Sequence, residues 1–393
     1  MSEKKIKSLK PGWRRVKFGD VVQLSKARSQ DPLVDGIERY VGLEHLEPGD
    51  LRIRNWGNVA DGVTFTSVFK PGQVLFGKRR AYQRKVAVAD FSGVCSGDIY
   101  VLETKDSKVL LPELLPFVCQ TDAFFDHAVG TSAGSLSPRT NWTSLSEFQF
   151  SLPALLDQPN CVAALKAAAT NAEFCAALAD SSRALTKSAI MDFFSRSDIP
   201  WKWEPVGKLG DVQLGQQKHP KYEAGISPKP YLRVVNIGDG DLVLNDIKSM
   251  DFVGRDFIKH RLKHGDILVT EGDLVSPFNV GRAAIFRGEI EDCCVQKSLM
   301  RFRPHPPMQS EYVLAAFRFL RYAGHFARAA STTTVSHLVA NKFERVLVPI
   351  APAEQQQELV DLLSDLAAAD KCAELRRQQA TGLKRSMEQA VWG

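Results

Sequence analysis

The part of the sequence best suited to binding chemistry is a nine-residue run, Gly77–Lys85, which reads GKRRAYQRK. It contains five basic side chains, one tyrosine and no acidic residue. Lysine and arginine neutralise phosphates, and arginine can also donate two hydrogen bonds to the O6 and N7 atoms of guanine. The alternative interpretation is an ordinary solvated charged surface. We predict a nucleic-acid contact by this run, through Lys78, Arg79, Arg80, Tyr82, Gln83, Arg84 and Lys85.

Three other segments have compositions that suit phosphate oxygens or base edges. Two of them, at 130–141 and 331–334, are rich in serine and threonine, and the third, at 276–282, takes the place of the basic run in the second half of the chain. Hydroxyls and backbone N–H groups in such loops bind phosphates, although plain linkers have the same composition. The candidate contacts are Ser135 and Arg139, Thr332 and Thr333, and Ser276, Asn279 and Arg282.

The elements that would position these residues occur twice in the chain. The segment Lys17–Val21 (KFGDV) returns as Lys208–Val212 (KLGDV), 191 residues later. The segment Lys70–Leu75 (KPGQVL) is matched by Lys263–Leu268 (KHGDIL), and the Leu-Pro step at 152–153 by a Val-Pro step at 348–349. Because these matches keep the same order, the sequence predicts an internal duplication.

Each copy begins with a part rich in short apolar runs separated by turn residues. Runs such as 74–76, 85–89, 98–102, 231–235 and 267–269 are typical of strands, and stretches 111–127 and 310–328 are typical of helices. We therefore predict an α+β fold, with mixed α/β domains at 1–151 and 198–349 in a pseudo-symmetric tandem repeat.

Each copy ends in about 40 residues that are poor in glycine and rich in Ala, Leu, Glu, Gln, Lys and Arg, which favours one long helix at 152–197 and another at 350–393. Apolar residues at alternating spacings of three and four predict a heptad seam on each. The two helices are then expected to pair as an antiparallel coiled coil; the alternative is a pair of ordinary amphipathic core helices. The predicted seams comprise Ala164, Ala168, Cys175, Leu178, Leu185 and Ala189 in the first helix, and Leu359, Leu362, Leu366, Ala369, Ala373, Ala380, Leu383, Met387 and Ala390 in the second.

Composition excludes several classes of protein. The chain has 393 residues, 44% of them apolar, and a formal net charge of +6, which leans toward a polyanionic partner. It has no run of about 18 apolar residues, and its charged N-terminus has no apolar core of a secretory signal. The seven cysteines show no C-x-x-C spacing, so we expect reduced, buried thiols in a cytoplasmic protein rather than disulfides or a zinc site.

Catalytic signatures are missing from the sequence. It has no G-x-x-x-x-G-K-[ST] loop, no H-E-x-x-H helix and no G-x-S-x-G elbow. It also lacks an Asn-Pro-Pro-aromatic segment of the kind with which an amino-methyltransferase holds a flipped base. The balance favours a binding protein without a metal or cofactor of its own, while an enzyme with an unrecognised site stays open.

The duplication, the two long helices and the KRRAY loop together resemble a specificity subunit of a Type I restriction-modification system. The resemblance implies two target-recognition domains, each reading half of a split double-stranded DNA site, and a helical pair that fixes the gap between the halves. It maps 78–85 to a DNA-facing loop and 276–282 to its counterpart. It also implies two modification subunits that bind S-adenosylmethionine and methylate adenine, and restriction subunits that use ATP and Mg to translocate and cut.

A different class of function is also compatible with the sequence. A non-catalytic adaptor, built on the coiled coil and binding polypeptides through its domains, would have the same two long helices. A steep loss of affinity for duplex DNA with added salt would count against this alternative.

Overall fold

The computed structural model describes residues 9–219, 222, 225–273, 280–332 and 336–392. The chain forms two compact units, the first made of 1–176 and 375–393 and the second of 177–374. Each unit therefore combines a mixed α/β body with part of each of two long helices. We call Gln158–Phe194 the first long helix and Ala353–Trp392 the second long helix.

The described residues of the first unit, from residue 9 onward, form three small sheets in its body. An antiparallel four-stranded sheet has the order Val22–Leu24, Ile99–Thr104, Val74–Gly77, Val86–Val88. A second four-stranded sheet has the order Gly57–Asn58, Arg39–Val41, Gly93–Cys95, Ser67–Phe69, with a parallel pair at its centre. Arg14–Lys17 pairs with Gln149–Leu152 in the third sheet. The α-helices of the body are Phe18–Val21, Leu115–Cys119, Asp122–Gly130 and Trp142–Ser146.

Aromatic packing fixes the helices of the first unit on the four-stranded antiparallel sheet. Phe18 and Phe124 are fully buried with ring centroids 5.1 Å apart, and Phe148 lies 5.3 Å from Phe124 in an edge-on arrangement. Phe76 joins this cluster from the strand that precedes the basic run, 5.4 Å from Phe124. The end of that strand is thereby held firmly against the core.

The body of the second unit repeats the plan. Its antiparallel four-stranded sheet has the order Gly210–Leu214, Leu299–Pro304, Asp266–Thr270, Ala283–Phe286. The other sheets pair Lys202–Pro205 with Leu347–Ile350, order Lys248–Asp251, Pro228–Leu232, Cys294–Val295, and order Gly272–Asp273, Ser336–His337, Ser331–Thr332. Its α-helices are Val206–Leu209, Arg255–His260, Ser310–Tyr322, His325–Ala329 and Ala340–Phe343.

Two predicted helices are broken in the structure. The stretch 111–127 divides into a short 3₁₀ turn and two helices, and Thr121 caps the second by accepting a hydrogen bond at Oγ1 from the N–H of Phe124. The stretch 310–328 breaks at Gly324, which has a left-handed φ of 76° that ends a helix. The predicted strand at 231–235 ends at Leu232, and the other four lie within or on observed strands.

Within each unit the two long helices run antiparallel. In the second unit Arg183 pairs with Glu374 at 2.7 Å and Arg196 with Glu358 at 3.0 Å, so later residues of one helix meet earlier residues of the other. Ser182 and Thr186 both donate hydrogen bonds to the carboxylate of Asp370. In the first unit, the end of the second long helix packs on the same apolar cluster as the start of the first, which includes Val162 and Leu165.

The seam of the second long helix differs from the predicted one. Leu362 and Leu383, which the prediction placed inside, are 46% and 50% exposed. The less exposed positions follow regular spacings of four and three and carry polar as well as apolar side chains; they are 359, 363, 366, 370, 373, 377, 380, 384, 387 and 391. The predicted seam agrees at 359, 366, 373, 380 and 387, and each of its other four positions lies one residue before an observed one.

The predicted seam of the first long helix is also only partly right. Leu178 and Leu185 are 46% and 57% exposed, whereas Ala168, Ala179 and Thr186 are buried. Small and polar side chains thus occupy the inner face in the middle of the helix, while larger apolar side chains nearer its two ends, such as Leu165, are buried. Leucine lies on both faces of this helix, so residue type alone does not identify its seam.

Among the described helices, the first long helix has a length and composition that would allow it to cross a membrane. An 18-residue window reaches a mean hydropathy of 1.2, and 17% of that window is buried. Length and composition alone are weak evidence for a span.

Candidate functional site

The basic loop, Gly77–Lys85, leaves the end of strand Val74–Gly77 and closes on itself. The N–H of Gly77 donates to the carbonyl of Lys85 at 3.0 Å, and residues 81–83 form a single 3₁₀ turn. Arg80 and Arg84 flank this turn with left-handed φ angles of 54° and 56°. Non-glycine residues rarely adopt this conformation, so the surrounding contacts must hold the loop in place.

A second loop, at 133–139, supplies those contacts. We call it the hairpin loop, because Ala133 and Arg139 exchange both backbone hydrogen bonds. Arg79 and Arg139 form a backbone bridge between the loops, and the N–H of Arg80 donates to the carbonyl of Pro138 at 2.8 Å. The carbonyl of Lys78 accepts from the N–H of Thr140. The two predicted segments, 77–85 and 130–141, therefore form one surface.

One carboxylate joins the arginines of this surface. Asp98, at the turn before strand Ile99–Thr104, accepts from Nη1 of Arg79 at 3.2 Å and from Nε of Arg139 at 2.9 Å. Burial raises the pKa of this carboxyl, but the bonds and charges of Arg139 and Arg79 more than offset that effect and leave the pKa below its usual range. Asp98 is therefore ionised at neutral pH, and it forms a salt bridge with each arginine.

Ser137 is a second connection between the loops. Its hydroxyl accepts from Nη2 of Arg79 at 3.1 Å and from Nε of Arg80 at 3.3 Å. Lys78 extends the cluster, with its Nζ 4.6 Å from the ring centroid of Tyr100. Burial lowers the pKa of Lys78, since it disfavours the charged form.

Two of the residues predicted to contact DNA, Arg84 and Lys85, bind other parts of their own unit. Arg84 pairs with Asp122 at 2.6 Å, and its guanidinium lies 4.5 Å from the ring centroid of Phe125. Lys85 donates from Nζ to the carbonyl of Leu43 at 2.7 Å. These two cations hold the loop on its own unit.

The other predicted contact residues of the first unit are exposed or half-buried. Tyr82 is 55% exposed, Gln83 is half-buried, and Ser135 is exposed beside Leu136, which is 91% exposed. Arg80 and Arg139 are exposed and Arg79 is half-buried, despite their contacts with the two loops. The surface can thus offer three guanidiniums, a phenol and hydroxyls to one polyanionic ligand.

The corresponding place in the second unit has the same backbone and different side chains. There the N–H of Glu271 donates to the carbonyl of Ser298, and its carbonyl accepts from the N–H of Leu338, as Lys78 does with Asp98 and Thr140. Gly272 pairs with His337 where Arg79 pairs with Arg139. The KRR sequence of the first unit is EGD at 271–273.

The predicted contacts of the second unit are only partly described. Ser276, Asn279 and Thr333 lie outside the described residues. Thr332 belongs to the short strand Ser331–Thr332. Arg282 directly precedes the strand Ala283–Phe286, and its N–H donates to Oγ1 of Thr270 at 3.0 Å.

The second unit has a cavity elsewhere, lined by both charged and apolar residues. A cavity of about 480 Å³ opens on the sheet that contains Pro228–Leu232 and Lys248–Asp251. Its lining includes Lys218, Tyr231, Arg233 and Lys248. The sequence predictions did not include these residues, because they are dispersed along the chain.

The sequence predictions also missed Asp98 and Ser137, which organise the first-unit surface. Asp98 is an acidic residue, so a search for cations passes over it, and no local pattern shows that 79, 98, 137 and 139 meet. In the part of the chain that the structure describes, no group of three His, Cys, Asp or Glu side chains could hold a metal ion.

The chain is similar to a curated protein and to solved structures, but not to any family model. No protein-family model matches the chain. The Escherichia coli protein "Type I restriction enzyme EcoDI specificity subunit" is 30% identical over 169 residues, which is 40% of this chain and 35% of that protein. The chain thus matches about a third of the length of this curated relative.

Two solved structures share the fold over nearly the whole chain. One, from a study of complex assembly and conformational transition of the type I R-M system, has a TM-score of 0.60 at 19% identity and covers 98% of both chains. The other is the Type-I restriction-modification system S subunit from M. genitalium, with a TM-score of 0.61 at 12% identity over 100% of this chain and 98% of that one. The predicted resemblance to Type I specificity subunits is confirmed.

Proposed function

We propose that the chain is the DNA-binding specificity subunit of a Type I restriction-modification complex. Its two target-recognition domains, at 1–151 and 198–349, would each read half of a bipartite duplex target. The observation that carries this proposal is the joined surface of the basic loop and the hairpin loop, where Arg79, Arg80 and Arg139 stand together. The relative's name supports the same role.

The chemistry of this surface suits duplex DNA. Arginines combine charge with a planar fork of donors, so they can bind phosphate oxygens or the edge of guanine. Tyr82 and the hydroxyl of Ser135 are exposed next to them in the loops. Because Asp98 ties both loops to the end of a sheet strand and Ser137 ties the loops to each other, the donors are held in place before a ligand arrives.

The two long helices, at 152–197 and 350–393, would form an antiparallel coiled coil that spaces the two half-sites. The antiparallel ion pairs of the second unit, Arg183 with Glu374 and Arg196 with Glu358, support this role. Lengthening both helices by one turn should change the preferred spacer between half-sites, as measured by mapping methylated sites. An unchanged spacer would contradict the proposed spacing role.

Catalysis would belong to partner subunits. Two modification subunits with S-adenosylmethionine would methylate adenine, and restriction subunits with ATP and Mg would translocate and cut, with this chain contributing DNA recognition in the cytoplasm, away from membranes. The support is the assembled type I R-M system among the similar structures, together with the absence of catalytic motifs from the sequence.

A protein adaptor is the second candidate function. The observation that favours it is the exposed apolar side chains of the first long helix, since Phe174 is 70% exposed and Leu185 is 57% exposed. Apolar side chains on a helix surface suit a protein partner. DNA binding and partner binding are compatible, so the question is whether the domains themselves bind duplex DNA.

The test uses the chain assembled with its modification subunits. Methylome sequencing of cells that contain the complex would identify the target, and binding to that target and to a scrambled duplex would then be measured across salt concentrations. We expect tighter binding to the target by about 1000-fold or more, and a steep fall of both affinities with salt. Equal binding to both duplexes, or a flat salt dependence, would favour the adaptor.

A further inference from the structure

We propose that Asp98 is a positioning residue. By holding two arginines in place, it would allow the basic loop to distinguish the target duplex from other duplexes. The proposal rests on the proposed function. It assigns to an acidic side chain, at the centre of a basic surface, control over how two arginines are presented to DNA. Asp98 itself would not contact the target.

Asp98 is shared by arginines from two different loops. Arg79 belongs to the basic loop and Arg139 to the hairpin loop, and each places a guanidinium nitrogen on a different oxygen of the same carboxylate. Two guanidiniums side by side repel each other. The carboxylate between them removes that repulsion, so the two arginines can be presented together.

Asp98 is itself held in place by hydrogen bonds of its own backbone. Its side chain is 19% exposed, its N–H donates to Oγ of Ser96, and its carbonyl accepts from the N–H of Lys78 at 3.0 Å. Its position is therefore fixed by the backbone on both sides of the carboxylate. A fixed acceptor restricts the rotamers of the arginines that bind it, which reduces the entropy that they lose on binding DNA.

Asp98 uses only part of the donor set of Arg139. It binds Arg139 through Nε, and the contacts of Arg139 with other described side chains involve that atom alone, which leaves Nη1 and Nη2 for an external acceptor pair. Bidentate contact with a guanine edge or with a phosphate needs two donors of one guanidinium in a fixed plane. By binding Nε, Asp98 would fix the plane of the Arg139 guanidinium.

The negative charge of Asp98 does not serve simple attraction of phosphates. A surface that only attracted phosphates would bind more tightly without a carboxylate at its centre. The counterpart of Asp98 in the second unit is Ser298, whose carbonyl accepts from the N–H of Glu271, so the backbone frame does not require an aspartate here. The carboxylate is thus explained by the arginines that it orients.

The test compares Asp98→Asn with Glu147→Gln in the assembled complex. Both changes remove one negative charge, and Glu147 pairs only with the exposed Lys17 among the described residues. We expect Asp98→Asn to weaken binding to the target about 10-fold, the size of one good directed contact. The same change should tighten binding to a scrambled duplex about twofold, because an anion has been removed. Glu147→Gln should leave the ratio of the two affinities unchanged.

These opposite directions separate positioning from mere loss of structure. A local loss of fold would weaken binding to both duplexes, and an unchanged ratio in Asp98→Asn would show that the carboxylate positions nothing; either result overturns the inference. Asp98→Glu, which keeps the charge, should recover part of the discrimination, and Ser137→Ala should lose a smaller part of it. A wild-type complex that binds both duplexes equally would instead remove the proposed function, and the inference with it.

Discussion

The basic loop of the first unit and its counterpart in the second share a backbone frame and differ in charge. Lys78 and Glu271 follow equivalent strands of the two antiparallel four-stranded sheets. Each donates its N–H to a carbonyl just before the neighbouring strand, at Asp98 or Ser298, and each accepts an N–H from a later loop. The next positions are Arg79 and Gly272. Because the frame is built from backbone groups, its side chains are free to change.

At the opposite end of this strand, the two units again share a backbone position and differ in their side-chain contacts. In the first unit Gln73 accepts from the N–H of Lys70 at 2.8 Å and donates to Glu103 at 2.6 Å. In the second unit Asp266 accepts from the N–H of Lys263 at 2.7 Å and pairs twice with Arg303, at 2.6 and 2.7 Å. An amide contact in one unit is a buried ion pair in the other.

These two pairs of sites show what the two units share. The backbone hydrogen bonds that end a strand recur in both units, whereas each unit satisfies the side chains around them differently. A surface loop can therefore take the opposite charge without loss of the frame. In the proposed function, this allows the two domains to read unlike half-sites.

The largest expected effect breaks the ion pair on the strand frame. Arg303→Met leaves the carboxylate of Asp266, which is 1% exposed, without its cation. An uncompensated buried charge costs about 3–5 kcal/mol, whereas Glu103→Gln in the first unit removes a more exposed contact and should cost about 1 kcal/mol. Hydrogen exchange of the strands 266–270 and 74–77 measures both losses locally. Equal losses would contradict the difference between the two sites.

The next effect concerns the basic loop itself. Arg79→Glu with Arg80→Glu should weaken DNA binding by the assembled complex at least about 100-fold, because two contacts become repulsive. The matched control is Lys70→Glu with Lys108→Glu, which makes the same change of charge beyond the other end of the strands Val74–Gly77 and Ile99–Thr104. Filter binding or fluorescence anisotropy at several salt concentrations measures both. Similar losses in the two variants would mean that net charge, and not the loop, determines affinity.

The smallest expected effect comes from changing Glu271, the acidic counterpart of Lys78. If the second unit also presents this position to DNA, Glu271→Lys should tighten binding to a scrambled duplex about threefold to tenfold and steepen its salt dependence. Glu311→Lys is the control, since residue 311 follows Ser310, which bonds Gly265 at the other end of the strand Asp266–Thr270. No difference between the two variants would show that only the first unit uses this end of its sheet for DNA.

Much of the fold was predictable from the sequence because it depends on local patterns. Short apolar runs predicted the strands at 74–76 and 267–269, and the repeated KPGQVL and KHGDIL segments predicted the equivalent turns. The helical composition predicted both long helices. The seam was predicted less well, because Asp370 and Thr186 lie on the inner faces, where an apolar pattern does not look for them.

The sequence by itself determined that a cluster of cations follows one strand, and that a related strand in the second half lacks it. Only the tertiary structure decided which of these cations are presented outward. Arg84 and Lys85 bind their own unit through Asp122 and Leu43, while Arg79 and Arg139, 60 residues apart, share the carboxylate of Asp98. The physical reason is that charge is a property of each residue, whereas the direction of a charged group depends on the partner that fixes it. That partner is brought near by the sheet and not by the sequence.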